Sequence, residues 1–219
     1  MNRHTVRQWL PLIISVLWVF CATAMLLLFN RYILMTLPLG LRMVLMLLNY
    51  WALAAVPLFL GLRSHYRPFQ KEHLGMQLLW GLVIAIGISL VCTLLPHLLG
   101  LGQYVGGDYG YTEPWQFIYQ LIYYVAAVGL VEEFVFRGFI FHRLRLLFHS
   151  EWTAIWISSA LFGLFHFGSG DILQILSTGL MGVFWCLCRK KLRHCTLLSL
   201  IIAHGIYDWL ICLWAYIFR

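Results

Sequence analysis

The chain alternates long apolar runs with short polar or charged breaks. A helix that crosses a bilayer needs about 20 apolar residues at a rise of 1.5 Å each, so runs of that length predict transmembrane helices. Seven are predicted, over roughly 10–29, 43–62, 74–100, 115–137, 152–168, 171–188 and 196–218. The fifth and sixth are short and separated only by Ser169, Gly170 and Asp171, which predicts a tight turn at one surface. The expected architecture is all-α, a polytopic transmembrane bundle of about seven spans forming one membrane domain over 1–219. No internal repeat, low-complexity tract or linker divides it.

Composition narrows the class. With 62% hydrophobic and 11% charged residues and a mean hydropathy of +0.84, the chain lies far outside the range of a soluble domain. The N-terminus imitates a secretory signal, with Arg3 and Arg7 before an apolar run and Ala22-Thr23-Ala24 after it. That run continues to Phe29, long enough to span, and is expected to be a retained helix.

Charge then gives orientation, because Lys and Arg favour cytoplasmic loops. Arg3 and Arg7 precede the first run, Arg63, Arg67 and Lys71 follow the second, Arg143 and Arg145 the fourth, and Arg189 to Arg193 the sixth. These positions alternate and predict a cytoplasmic N-terminus, with Asp108 and Glu113 in the longest opposite loop; Arg31, Arg42 and Arg219 are exceptions. The formal charge of +7 is accordingly a topology signal with attraction to membrane lipid. No aromatic-basic patch suggests nucleic acid as a partner. Six cysteines lack CxxC spacing, which argues against a disulfide framework or zinc knuckle. Cys188 and Cys195, beside the basic loop, read as small apolar residues or as palmitoylation sites.

Ionisable groups at bilayer depth are expensive, upward of about 2.5 kcal/mol each, so a group that persists there points to function. Seven stand in the predicted spans: Arg42, Glu132, Glu133, Arg137, His166, His204 and Asp208. His97, at the outer end of the third span, is expected to be a satisfied interhelical hydrogen bonder or an interface residue. Residues four apart on a helix share a face, so Glu133 lies over Arg137 and is expected to form an ion pair. Glu132 points about 100° away and is the candidate base. Phe162 precedes His166 by one turn and can shield or stack on its ring; His204 and Asp208 share a face. Amide hydrolysis needs a base, a positioned water, an oxyanion donor and an acid for the leaving amine, and Glu132, His166 and His204 have the side chains for it. Acid and histidine chains also carry protons in transporters.

The segments EEFVFR at 132–137, FGLFH at 162–166 and HGIYD at 204–208 resemble the three signature motifs of the CPBP family, the CAAX-protease and bacteriocin-processing intramembrane endopeptidases. The resemblance covers roughly 117–214, making 115–218 the expected catalytic core and leaving 1–114, with its three spans, without a motif. It implies a peptidase in which Glu132 and His166 activate water and His204 stabilises the oxyanion, with Glu133 and Arg137 completing the first motif. It also implies a metal-free, glutamic mechanism. Asp208 departs from the pattern, where asparagine is usual; an ionised aspartate cannot donate to an oxyanion. Asp208 must then be protonated, orient His204, or ligate a metal, in which case His166, His204, Asp208 and Glu132 form an acceptable zinc set. The expected substrate is a peptide or protein, either lipidated or membrane-embedded, and the short loops and small size suggest a bacterial cytoplasmic membrane. A proton-coupled transporter and a non-catalytic immunity or scaffold protein are the alternatives. One tension stands: measured from the expected span ends, Glu132 and His204 lie about 12–14 Å deep and His166 about 21 Å; either the fifth span starts later or tilts strongly, or the fourth continues obliquely through 138–148, whose Arg143 and Arg145 suit an interfacial helix.

Overall fold

Backbone groups inside a bilayer have no water to bond and must satisfy one another, which long apolar segments do by forming helices. The computed structural model describes residues 3–105, 113–169 and 171–218, and among these it contains helices and no strand. The long helices are α1 Arg3–Tyr32, α2 Leu39–Arg63, α3 Leu74–Leu98, α4 114–148, α5 Glu151–Phe165, α6 Ile172–Lys191 and α7 Leu197–Ile217. Large apolar side chains such as Met25, Leu62, Val83 and Leu180 stand exposed along them, a surface suited to lipid. The protein is an integral membrane protein of the all-helical class.

Among the described residues every expected segment is helical, but only α1, α2, α3, α6 and α7 are by themselves long and apolar enough to cross a membrane. The fourth segment does not end at residue 137. It continues to Phe148, passing through π-helical stretches at Tyr124–Gly129 and Glu133–Ile140. The arginines read as a loop lie on this helix, around the buried Leu144. His149 in the left-handed conformation (φ 52°) stops it, and Ser150 caps α5 by accepting from the Thr153 N–H at 3.2 Å. Helix α5 has 15 residues, about 22 Å at 1.5 Å per residue and short of a 30 Å hydrocarbon core.

Contacts gather the chain into two compact units, Met1–Pro68 with Val131–Leu192, and Phe69–Leu130 with Arg193–Arg219. The first has an apolar core in which Leu53, Val131, Val135, Phe136, Ala154 and Phe162 meet. There α5 and α6 approach closely: a Cβ on Gly163 would fall 2.5 Å from the Ile175 carbonyl oxygen and 3.0 Å from Gly179 Cα.

In the second unit α7 lies on α3 and on the 124–129 stretch of α4. The Thr196 hydroxyl donates to Gln77 Oε1 (2.5 Å), and Gln77 Nε2 donates to the Glu72 carbonyl oxygen (2.6 Å). Trp214 Nε1 donates to Ser89 Oγ at 2.7 Å. His97 is satisfied within its own helix rather than between helices, with Nδ1 2.8 Å from the Thr93 carbonyl oxygen. Asp108, Gly170 and Arg219 lie outside the described residues.

Candidate active site

Glu133 and Arg137 form the expected ion pair. Arg137 Nη1 donates to Glu133 Oε1 at 3.0 Å, with side chains 1% and 0% exposed. The guanidinium lies over the Phe162 ring, its carbon 3.8 Å from the ring centroid. Gly182 leaves room for it, since a Cβ there would fall 3.0 Å from Arg137 Nη2 and 3.0 Å from Ser159 Cβ. The Arg137 carbonyl oxygen accepts from Arg189 Nη1 at 2.8 Å. All of this lies on or against the π-helical stretch Glu133–Ile140, a local widening often found at functional positions.

Glu132 is buried, 2% exposed, and turned to a different partner: the Tyr50 hydroxyl of α2 donates to its Oε1. The two adjacent carboxylates are thus held by different groups on different sides of α4.

His166 is the C-cap of α5 (φ −83°, ψ 14°), where a 3-10 turn over His166–Ser169 begins. Its Nδ1 lies 3.0 Å from the Phe162 carbonyl oxygen. A carbonyl only accepts, so Nδ1 carries the proton and Nε2 is the basic nitrogen of the neutral ring. Phe162 and Phe165 flank the imidazole edge to face, at 4.9 and 5.2 Å. The extension of α4 removes the mismatch between Glu132 and His166. Glu132 lies 16 residues before Phe148 and His166 lies 15 after Glu151, or about 24 and 22 Å from the turn at 149–150 that joins the helices.

On the second unit, His204 and Asp208 share a face of α7, with Nε2 3.4 Å from Oδ2 and side chains 8% and 22% exposed. That is ion-pair range, long for a hydrogen bond. Gly205 lets the helix in beside them: a Cβ there would fall 2.6 Å from the Tyr124 carbonyl oxygen.

Glu132, Glu133, Arg137, Phe162 and His166 therefore belong to one unit, and His204 and Asp208 to the other. Among the described residues of either unit, no three His, Cys, Asp or Glu side chains gather as metal ligands. Arg42 has a local role at the start of α2, donating to the Met35 and Leu37 carbonyl oxygens at 3.3 and 3.2 Å. Two partners were not legible as such. Tyr50 stands in an apolar span without a motif, signalled only by the polar pair Asn49-Tyr50, and Arg189 reads as part of the basic loop.

Residues 114–210 match the model of the family described as type II CAAX prenyl endopeptidase Rce1-like. No curated protein and no solved structure matches.

Proposed function

We propose that this chain, whose residues 114–210 match the CAAX prenyl endopeptidase family model, is a membrane peptidase of that family and hydrolyses a peptide bond with water activated by Glu132 and His166. Glu132 takes a proton from water as its oxygen attacks the carbonyl carbon. His204 donates to the resulting oxyanion, and protonated His166 or Glu132 returns a proton to the amine as the C–N bond breaks. Asp208 pairs with the His204 imidazolium at Nε2, a role their 3.4 Å approach supports, and leaves Nδ1–H to donate to the oxyanion. Glu133, Arg137 and Phe162 build the wall that holds Glu132 and His166.

The observation that carries this reading is the separate tethering of the two acids. Arg137 ion-pairs with Glu133, while Glu132 accepts from the Tyr50 phenol. The substrate class is a lipidated or membrane-embedded peptide, and the setting a bacterial cytoplasmic membrane. Glu132→Gln removes the base and is expected to lower turnover of a quenched prenylated peptide in micelles by about 10²–10⁴-fold, with folding unchanged. Cleavage at the wild-type rate would sink the assignment.

Asp208 also favours a second reading. With an acid where the family usually has asparagine, Glu132, His166, His204 and Asp208 have the donor chemistry of a zinc site, whose ion would polarise the carbonyl and acidify water.

A further inference from the structure

Tyr50 lies outside the segment that matches the family, yet its hydroxyl donates to the proposed base. The backbone around it departs from α geometry. The α-helical stretch Leu39–Tyr50 ends at this residue, tightens into a 3-10 turn over Trp51–Ala54, and resumes at Ala55. Pro57 disposes the chain to this break, because it has no N–H for the Leu53 carbonyl and its ring crowds that oxygen.

A tertiary contact fixes where and how the break is held. Trp18 Nε1 of α1 donates to the Ala52 carbonyl oxygen at 2.8 Å, and an inserted side-chain donor of this kind distorts a helix locally. Leu53 and Ala54, 2% and 3% exposed, are drawn into the core that also holds Val131 and Val135 of α4. The Tyr50 ring packs against the same core. A phenol half-buried against apolar side chains favours a partner for its hydroxyl, and Glu132 accepts from it. Two departures from α geometry, one on α2 and one on α4, thus flank a single hydrogen bond.

We infer that Tyr50 is a positioning residue for Glu132, aimed by the Trp18-held turn. Its hydroxyl fixes Oε1, which restricts the glutamate rotamer and presents Oε2 to the attacking water. When Glu132 takes the proton, Oε2 becomes the O–H and Oε1 keeps accepting from Tyr50, so the contact survives the step. The inference rests on the assignment of Glu132 as the base.

The test uses the full-length protein in micelles, with Tyr50→Phe, Trp18→Phe and, as control, Tyr104→Phe, whose ring is exposed and whose residue belongs to the other unit. Each is measured for kcat and KM on a quenched prenylated peptide. Infrared difference spectra follow the Glu132 carboxylate band, identified by its loss in Glu132→Gln. Tyr50→Phe is expected to lower kcat by about tenfold with KM within about twofold, the loss produced by a slightly misplaced group, and to move the carboxylate band. Trp18→Phe should do the same more weakly, and Tyr104→Phe should do neither. An unmoved band in Tyr50→Phe overturns the inference, as does a moved band with unchanged kcat in an enzyme that needs Glu132. Full activity in Glu132→Gln would instead overturn the base assignment, and the band alone would then decide whether Tyr50 positions this carboxylate.

Discussion

Arg137 is 1% exposed, with one carboxylate at 3.0 Å and one aromatic face at 3.8 Å. In so dry a place, removing either charge leaves the other uncompensated, which costs about 3–5 kcal/mol. Arg137→Met and Glu133→Gln are each expected to lower stability by that order. The double variant should lose clearly less than the sum, because no lone charge remains. Unfolding of the purified protein in detergent would check this, and strict additivity would contradict the pairing. The sequence carried this much on its own: Glu-x-x-x-Arg at helical spacing inside an apolar run leaves each group little choice of partner. It was silent on Tyr50, since the 82 residues separating it from Glu132 put their meeting beyond any local pattern.

Among the helices, small residues decide how close α5 and α6 can come. A Cβ on Gly163 would strike the Ile175 carbonyl oxygen at 2.5 Å, whereas one on Gly179 would meet nothing nearer than 3.6 Å. Gly163 is three residues before His166, so forcing α5 outward also shifts the imidazole. Gly163→Ala is expected to cost about 1–3 kcal/mol of stability and to lower turnover by about tenfold or more. Gly179→Ala should be close to wild type in both. Melting curves and initial rates of the two variants test this, and equal effects would show that backbone proximity is not what the glycine serves. Apolar length predicted that α5 exists but not where its companion stops. Arg143 and Arg145 look like a loop from charge alone; of the alternatives the sequence left open, a continued fourth helix is the one found, since α4 runs through them to Phe148, which gives Glu132 and His166 similar distances from the turn at 149–150.

For the molecule as a whole, the open chemical question is whether the Glu, His and Asp side chains act alone or through a metal. Element analysis by mass spectrometry of active protein is expected to find no stoichiometric zinc. About one zinc per chain, lost in both His166→Ala and His204→Ala, would establish the metalloenzyme reading with Asp208 as a ligand. The sequence by itself determined the helical class, the membrane setting and the three motifs, because hydropathy and i,i+4 spacing are properties of neighbours along the chain. Pro57 and the Ser150 cap were local marks of the break in α2 and of the end of α4, whereas the Tyr50 and Arg189 contacts were decided by tertiary structure. Those contacts join residues 82 and 52 positions apart, and no pattern among chain neighbours specifies a partner at such a separation.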